Sequence, residues 1–185
     1  MKKLILLLAL LSQPVTAATS LTLKARGWMV QGSEYFYNST NSNATVQIND
    51  PAKDDVTFSF ITPEYAHWWF VSFRPADGTK LKVGTYENAV RWHVGQNSRN
   101  TFDIYGDGRG SNQVGGWFEV LEIEWNPQHT ELTKVAIDFH HLSEGIDSWR
   151  TDGAIRLNSN IPVPEVSSLG LILLSGLGLL RRTRR

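Results

Sequence analysis

Cysteine is absent from all 185 residues. That excludes a disulfide framework, a thiol nucleophile and any thiolate metal site. It also excludes the lipid-bearing cysteine that follows the leader of a lipoprotein. No segment between residues 20 and 160 keeps a 3.6-residue apolar period, so a helical core is not expected. No apolar run reaches the roughly 20 residues of an ordinary membrane span. The metalloprotease motif HExxH, the serine nucleophile elbow and the phosphate loop are all missing. Net charge is missing in appearance only. Lys2, Lys3, Arg181, Arg182, Arg184 and Arg185 sit at the two ends. Eighteen bases minus these six leaves 12 against 18 acids, so the chain between those ends is near −6. An acidic domain argues against nucleic acid or an anionic membrane surface as partner.

What is present begins at the ends. Met1-Lys2-Lys3 is basic, residues 4–11 are apolar, and Ser12-Gln13-Pro14 breaks the run. Val15-Thr16-Ala17 then offers small residues for cleavage. This is the pattern of a secretory signal peptide over residues 1–17, cut after Ala17 or Ala18. At the other end, Val163-Pro164-Glu165-Val166 leads into an uncharged stretch, residues 166–180, and then the basic tail 181–185. The 15 residues of that stretch make a helix of about 22 Å at roughly 1.5 Å per residue. That is a short transmembrane helix finished by snorkelling arginines, which stay on the cytoplasmic side.

Motif, short helix and arginine-rich end together resemble the PEP-CTERM sorting signal. Val163, Pro164 and Glu165 match the family's Val-Pro-Glu-Pro, and Val166 stands at its second proline. The resemblance implies processing by an exosortase-type enzyme, with only transient residence in the inner membrane. It implies export to the cell surface or beyond, or a membrane-anchored periplasmic protein if the tail is kept.

The body, residues 20–159, consists of short alternating runs rich in Val, Ile, Thr and aromatics, separated by Gly, Pro, Asn and Asp. That pattern predicts an all-β domain of nine or ten strands, a β-sandwich of jelly-roll or immunoglobulin-like type. Residues 160–185 form the sorting region. His67-Trp68-Trp69-Phe70-Val71-Ser72-Phe73 is apolar on both faces, as in a central strand or one lining a second contact. Residues 89–94 are expected as a strand. Residues 117–125 and 132–139 are expected as a hairpin, with Phe118, Val120, Glu122 and Glu124 on one face.

A second resemblance covers most of the body. It rests on Leu81…Gly84-Thr85-Tyr86-Glu87…Ala89…Arg91, Gly106-Asp107-Gly108-Arg109-Gly110-Ser111-Asn112, Phe139-His140-His141-Leu142-Ser143-Glu144-Gly145 and Gly153…Arg156…Asn158-Ser159. These segments resemble, in order and spacing, an uncharacterised exported bacterial β-domain whose wording includes GxGRGCN and FEQHCEG. The family's two cysteines fall at Ser111 and Ser143. The resemblance therefore implies that these two serines lie near each other. His140, His141 and Leu142 replace the family's Glu-Gln-His.

Few constellations carry chemistry. Glu122 and Glu124 share a strand face about 7 Å apart, a separation at which carboxylate pairs hydrolyse glycosides. With Glu119 they approach the jelly-roll glycosidase pattern but lack its central aspartate, so a solvated strand face is expected instead. Asp103 and Asp107 flank a glycine-rich loop and are the nearest approach to a Ca²⁺ site. They lack the EF-hand order and a third carboxylate, so no metal or other cofactor is expected, and Arg109 is expected to pair with a carboxylate. His140 and His141 are adjacent on a strand and point apart, which disfavours a shared Zn²⁺. Of the seven tryptophans, Trp28, Trp68, Trp92 and Trp149 are not explained by inward alternation and are candidates for stacking on a ligand.

The expectation is a non-enzymatic exported protein of the surface or extracellular matrix, adhesive or associated with polysaccharide. The alternatives are a lectin-like carbohydrate-binding module and, on Glu119, Glu122 and Glu124, a jelly-roll glycoside hydrolase.

Overall fold

Period-two alternation sets the architecture. The computed structural model describes residues 18–27, 29–50, 55–76, 80–91 and 98–164. Ten strands run through them: β1 (Ala18–Ala25), β2 (Glu34–Asn38), β3 (Asn43–Asp50), β4 (Asp55–Ile61), β5 (Trp68–Arg74), β6 (Gly84–Tyr86), β7 (Thr101–Gly106), β8 (Val114–Trp125), β9 (Leu132–Ser143) and β10 (Arg150–Ser159). They pair antiparallel in two sheets, ordered β2-β1-β10-β9-β8-β6 and β3-β4-β5-β7. The chain is all-β, and the sheets pack face to face as in a β-sandwich. The expected signal peptide and transmembrane stretch lie outside the described residues. Among the described residues no helix is long and apolar enough to cross a membrane.

The core follows from the inward residues. Phe73 of β5 and Phe102 of β7 stack with ring centroids 5.2 Å apart. Across the sandwich Phe73 meets Phe118 of β8 at 5.0 Å, and Phe102 meets Phe139 of β9 at 5.2 Å. Burying each such ring is worth about 1.5–3 kcal/mol. Leu21, Leu23, Val71, Ile104 and Ile137 complete the same buried cluster. Trp69 is fully buried, and its indole lies against Gly106, its cross-strand partner. A Cβ at Gly106 would collide with that ring, so only glycine fits there.

Two expectations are corrected. Val120 pairs with Ile137 but Glu122 pairs with Ala136, so the register slips by one residue between them. This bulge reverses the alternation. Phe118 and Val120 are buried and Ile123 packs against the core, whereas Glu122 and Glu124 belong to the opposite face. The described part of the expected strand over 89–94, residues 89–91, does not form one. Val90 makes only an isolated bridge to Thr101, and residues 92–97 lie outside the description.

The end of β10 is fastened to the body. Arg156 is only 1% exposed. Its guanidinium pairs with Asp138 at 2.8 Å and donates to the carbonyls of Ile161 at 2.9 Å and Pro162 at 2.8 Å. It also donates to the Ile155 carbonyl at 2.9 Å. Buried guanidinium hydrogens left without acceptors are costly, at about 1–3 kcal/mol per lost partner. A chain ending at Ser159 is therefore expected to be at least about 2 kcal/mol less stable than one ending at Pro164. Urea unfolding of the two would show it, and equal midpoints would mean that the two carbonyls contribute nothing.

Candidate functional site

The site grows out of the outward residues of β5. Because Trp69, Val71 and Phe73 point into the core, Trp68, Phe70 and Ser72 must point out. Register then extends each outward residue into a row. Ser59, Phe70 and Tyr105 form one row, and Thr57, Ser72 and Asp103 the next. The Phe70 and Tyr105 rings stack at 5.1 Å with planes 9° apart. Trp68 stands edge-on to both, at 5.9 Å and 6.3 Å. The result is a three-ring corner on the outer face, with Tyr105 40% exposed. Burial, and after it the Asp103 carboxylate, hold the Tyr105 hydroxyl above its ordinary pKa, so it remains a donor at neutral pH.

The corner is held from behind by Asp107. One of its oxygens accepts the Trp68 N–H at 2.9 Å, and the other lies 2.8 Å from His67 Nδ1. The Asp107 N–H returns a bond to the Trp68 carbonyl at 3.0 Å. Asp107 itself adopts φ +47°, a turn conformation that Asp tolerates better than most residues.

Beside the rings the face becomes polar. Hydroxyls pair across strands, Thr45 with Ser59 at 2.5 Å and Thr57 with Ser72 at 2.9 Å. Asn49 Nδ2 donates to Thr57 at 2.8 Å and to Asp55 at 3.0 Å. Arg91 Nε donates to Asp103 at 3.2 Å. Of these groups, Asn49, Asp55, Ser72, Arg91 and Asp103, together with Tyr105, line a depression of about 390 Å³. A larger cleft of about 650 Å³ opens between β3 and residues 130–133. Its lining has one ionisable side chain, Glu131, and no aromatic ring, which makes it the poorer site.

The candidate residues separate. Trp68 belongs to the corner. Trp149 is 39% exposed in the short 3₁₀ turn Asp147–Trp149 before β10, in the connection within the other sheet. Trp28 and Trp92 lie outside the described residues, as do Ala17, Glu165 and Val166. Ala18 opens β1, opposite Ser159, and Val163 and Pro164 follow the segment fastened by Arg156. Asp103 and Asp107 do not converge, since Arg91 engages the first, and His67 and Trp68 engage the second. Among the described residues no three His, Asp or Glu side chains are placed to hold a metal ion. Arg109 reaches the Met29 carbonyl at 3.0 Å rather than the expected carboxylate. Phe70 and Tyr105 were not among the stacking candidates, although Phe70 shares the parity of Trp68, and Tyr105 that of Asp103.

The carboxylates of β8 are engaged structurally. Glu122 accepts the Ser159 hydroxyl at 2.6 Å and lies 3.4 Å from Lys134, which also pairs with Glu124 at 2.9 Å. The Ser159 bond, then Lys134, hold Glu122 below the usual carboxylate pKa, the opposite of what a general acid needs.

On β9 the adjacent histidines point apart. His140 Nδ1 lies 2.7 Å from Asp152, and its ring is parallel to Trp117 at 5.8 Å. His141 faces inward, fully buried and edge-on to Phe102 at 5.2 Å. Neither of its ring nitrogens has a hydrogen-bond partner among the described residues. The same holds for the buried hydroxyls of Ser111, Ser143 and Thr151. Ser111 and Ser143 belong to segments that are bonded together. Asn112 N–H donates to the Glu144 carboxylate at 2.6 Å, Glu144 N–H donates to the Gln113 carbonyl at 2.8 Å, and Val114 faces Ser143.

No family model, no curated protein and no solved structure matches this chain.

Proposed function

We propose that the chain is an exported, non-enzymatic protein of the cell surface or extracellular matrix, and that it contacts polysaccharide through the outer face of its four-stranded sheet. The observation that carries this reading is the Trp68, Phe70 and Tyr105 corner beside a depression of about 390 Å³ that Asn49, Asp55, Arg91 and Asp103 also line. Ring faces next to paired donors and acceptors suit the C–H face and hydroxyls of a sugar. Export rests on the leader pattern of residues 1–17. Sorting rests on the resemblance of residues 163–185 to a PEP-CTERM signal, with an exosortase-type enzyme as processing partner and the inner membrane as a transient station. The body is a jelly-roll or immunoglobulin-like sandwich. A lectin-like module is the same reading with a soluble destination. The glycoside hydrolase alternative loses support because Glu122 and Glu124 are tied to Lys134 and Ser159, on the other sheet.

In the native host, the protein is expected in the polysaccharide-rich matrix with a mass ending near Pro164 or Glu165. A variant carrying Trp68→Ala and Tyr105→Ala is expected to end at the same residue but to move into the free medium. If that variant stays with the matrix, the face is not the contact. If the mass retains Arg185 in the inner membrane, sorting has been misread.

A further inference from the structure

We infer that the ligand of this face is an uncharged polysaccharide, bound as a chain lying across the strands; this rests on the polysaccharide reading above and narrows it. Among its described residues, the lining of the depression contains Arg74 and Arg91 as cations and Asp55 and Asp103 as anions, so their formal charges sum to zero. Arg91 is already engaged by Asp103. A uronate or sulfated sugar would need a cation with no carboxylate beside it, and its own charge would be repelled by Asp55 and Asp103. The chain between its basic ends also carries a surplus of acid, 18 against 12. That surplus disfavours approach of a polyanion at low salt.

A guanidinium and a carboxylate held side by side present donors and an acceptor together, the complement of two neighbouring sugar hydroxyls. The Thr45–Ser59 and Thr57–Ser72 pairs extend such groups toward β3. The rings offer an apolar platform at the β5–β7 side, and Asn49 and Asp55 offer polar groups at the β3–β4 side. Asn49 on β3 and Tyr105 on β7 stand three inter-strand gaps apart, about 14 Å at about 4.8 Å each. That reach suits a polymer segment better than a single sugar.

The test uses the full chain in mild detergent and affinity electrophoresis through gels containing dextran, a β-1,4-glucan, a β-mannan or polygalacturonate. At least one neutral polymer is expected to retard it, with little change between about 20 and 500 mM salt, because few screened charges are involved. Tyr105→Ala and Asp103→Asn are each expected to weaken that retardation about tenfold or more. Tyr105 is the more exposed ring, so its variant keeps the melting temperature and separates binding from folding; Trp68→Ala serves as a second ring variant. Preferential retardation by polygalacturonate that fades with salt would overturn the inference while leaving the polysaccharide reading in place. Retardation by none of the four would overturn both.

Discussion

Between pH 7 and pH 5 the burial of His141 is expected by itself to cost the fold about 2 kcal/mol, and His141→Leu is expected to remove that contribution. His141 is fully buried. Burial first, and then the neighbouring His140, push its pKa down from the usual 6.5 to about 3. Only the unfolded chain binds a proton at this side chain between those two values. Stability from this group is therefore complete above pH 6.5 and is lost as pH falls toward 3, at about 1.4 kcal/mol per pH unit. The range between pH 7 and 5 isolates the histidine from most carboxylates, which titrate lower. Leucine is close to histidine in volume and removes two ring nitrogens that lack partners, so stability at pH 7 should hold or rise. Urea unfolding at pH 7, 6 and 5 is the measurement. Parallel pH slopes for the two proteins would show that His141 is not the source.

Joining Ser111 and Ser143 should have an effect of comparable size in the opposite direction. With Ser111→Cys and Ser143→Cys introduced together, oxidation is expected to form a crosslink. The enclosed chain is 143 minus 111, or 32 residues. Loop-closure entropy for such a ring lies between about 3 and 4.7 kcal/mol, the values for 15- and 100-residue loops. Both serine hydroxyls are buried without partners among the described residues, so neither loses a hydrogen bond there on replacement. Thiol titration and the urea midpoint with and without reductant measure the result. Thiols that stay free under oxidant would place the two Cα atoms beyond the roughly 7 Å that a disulfide spans, and the resemblance that aligns them with paired cysteines would fall.

The sequence made the strands of this chain easier to read than its site. β5 was legible because seven consecutive residues alternate without interruption, and both of its faces are rich in rings. β8 was legible as a strand but not in phase. One extra residue near Leu121 reverses the faces, and a bulge leaves no compositional trace. Tyr105 and Asp103 share parity on β7, yet nothing in the local sequence tells what each of them faces. Their real partners, Phe70 and Arg91, are distant in the chain, and register alone brings them together. Arg156 could not be assigned at all from sequence. Most of its partners are backbone carbonyls, and any residue type supplies those equally well.

Arg156 also sets a leash length. It fixes the Pro162 carbonyl to the body of the domain, so only residues 163–165 remain between that anchor and residue 166. Four Cα steps span at most about 14 Å. If the proposed sorting holds, an enzyme acting on the motif would have to work within about 14 Å of the Pro162 anchor. Such an enzyme would have the domain close on one side and little free chain to draw on. The shape of the domain surface around Asp138 and Arg156, as much as the letters of the motif, would then decide which enzymes can act there.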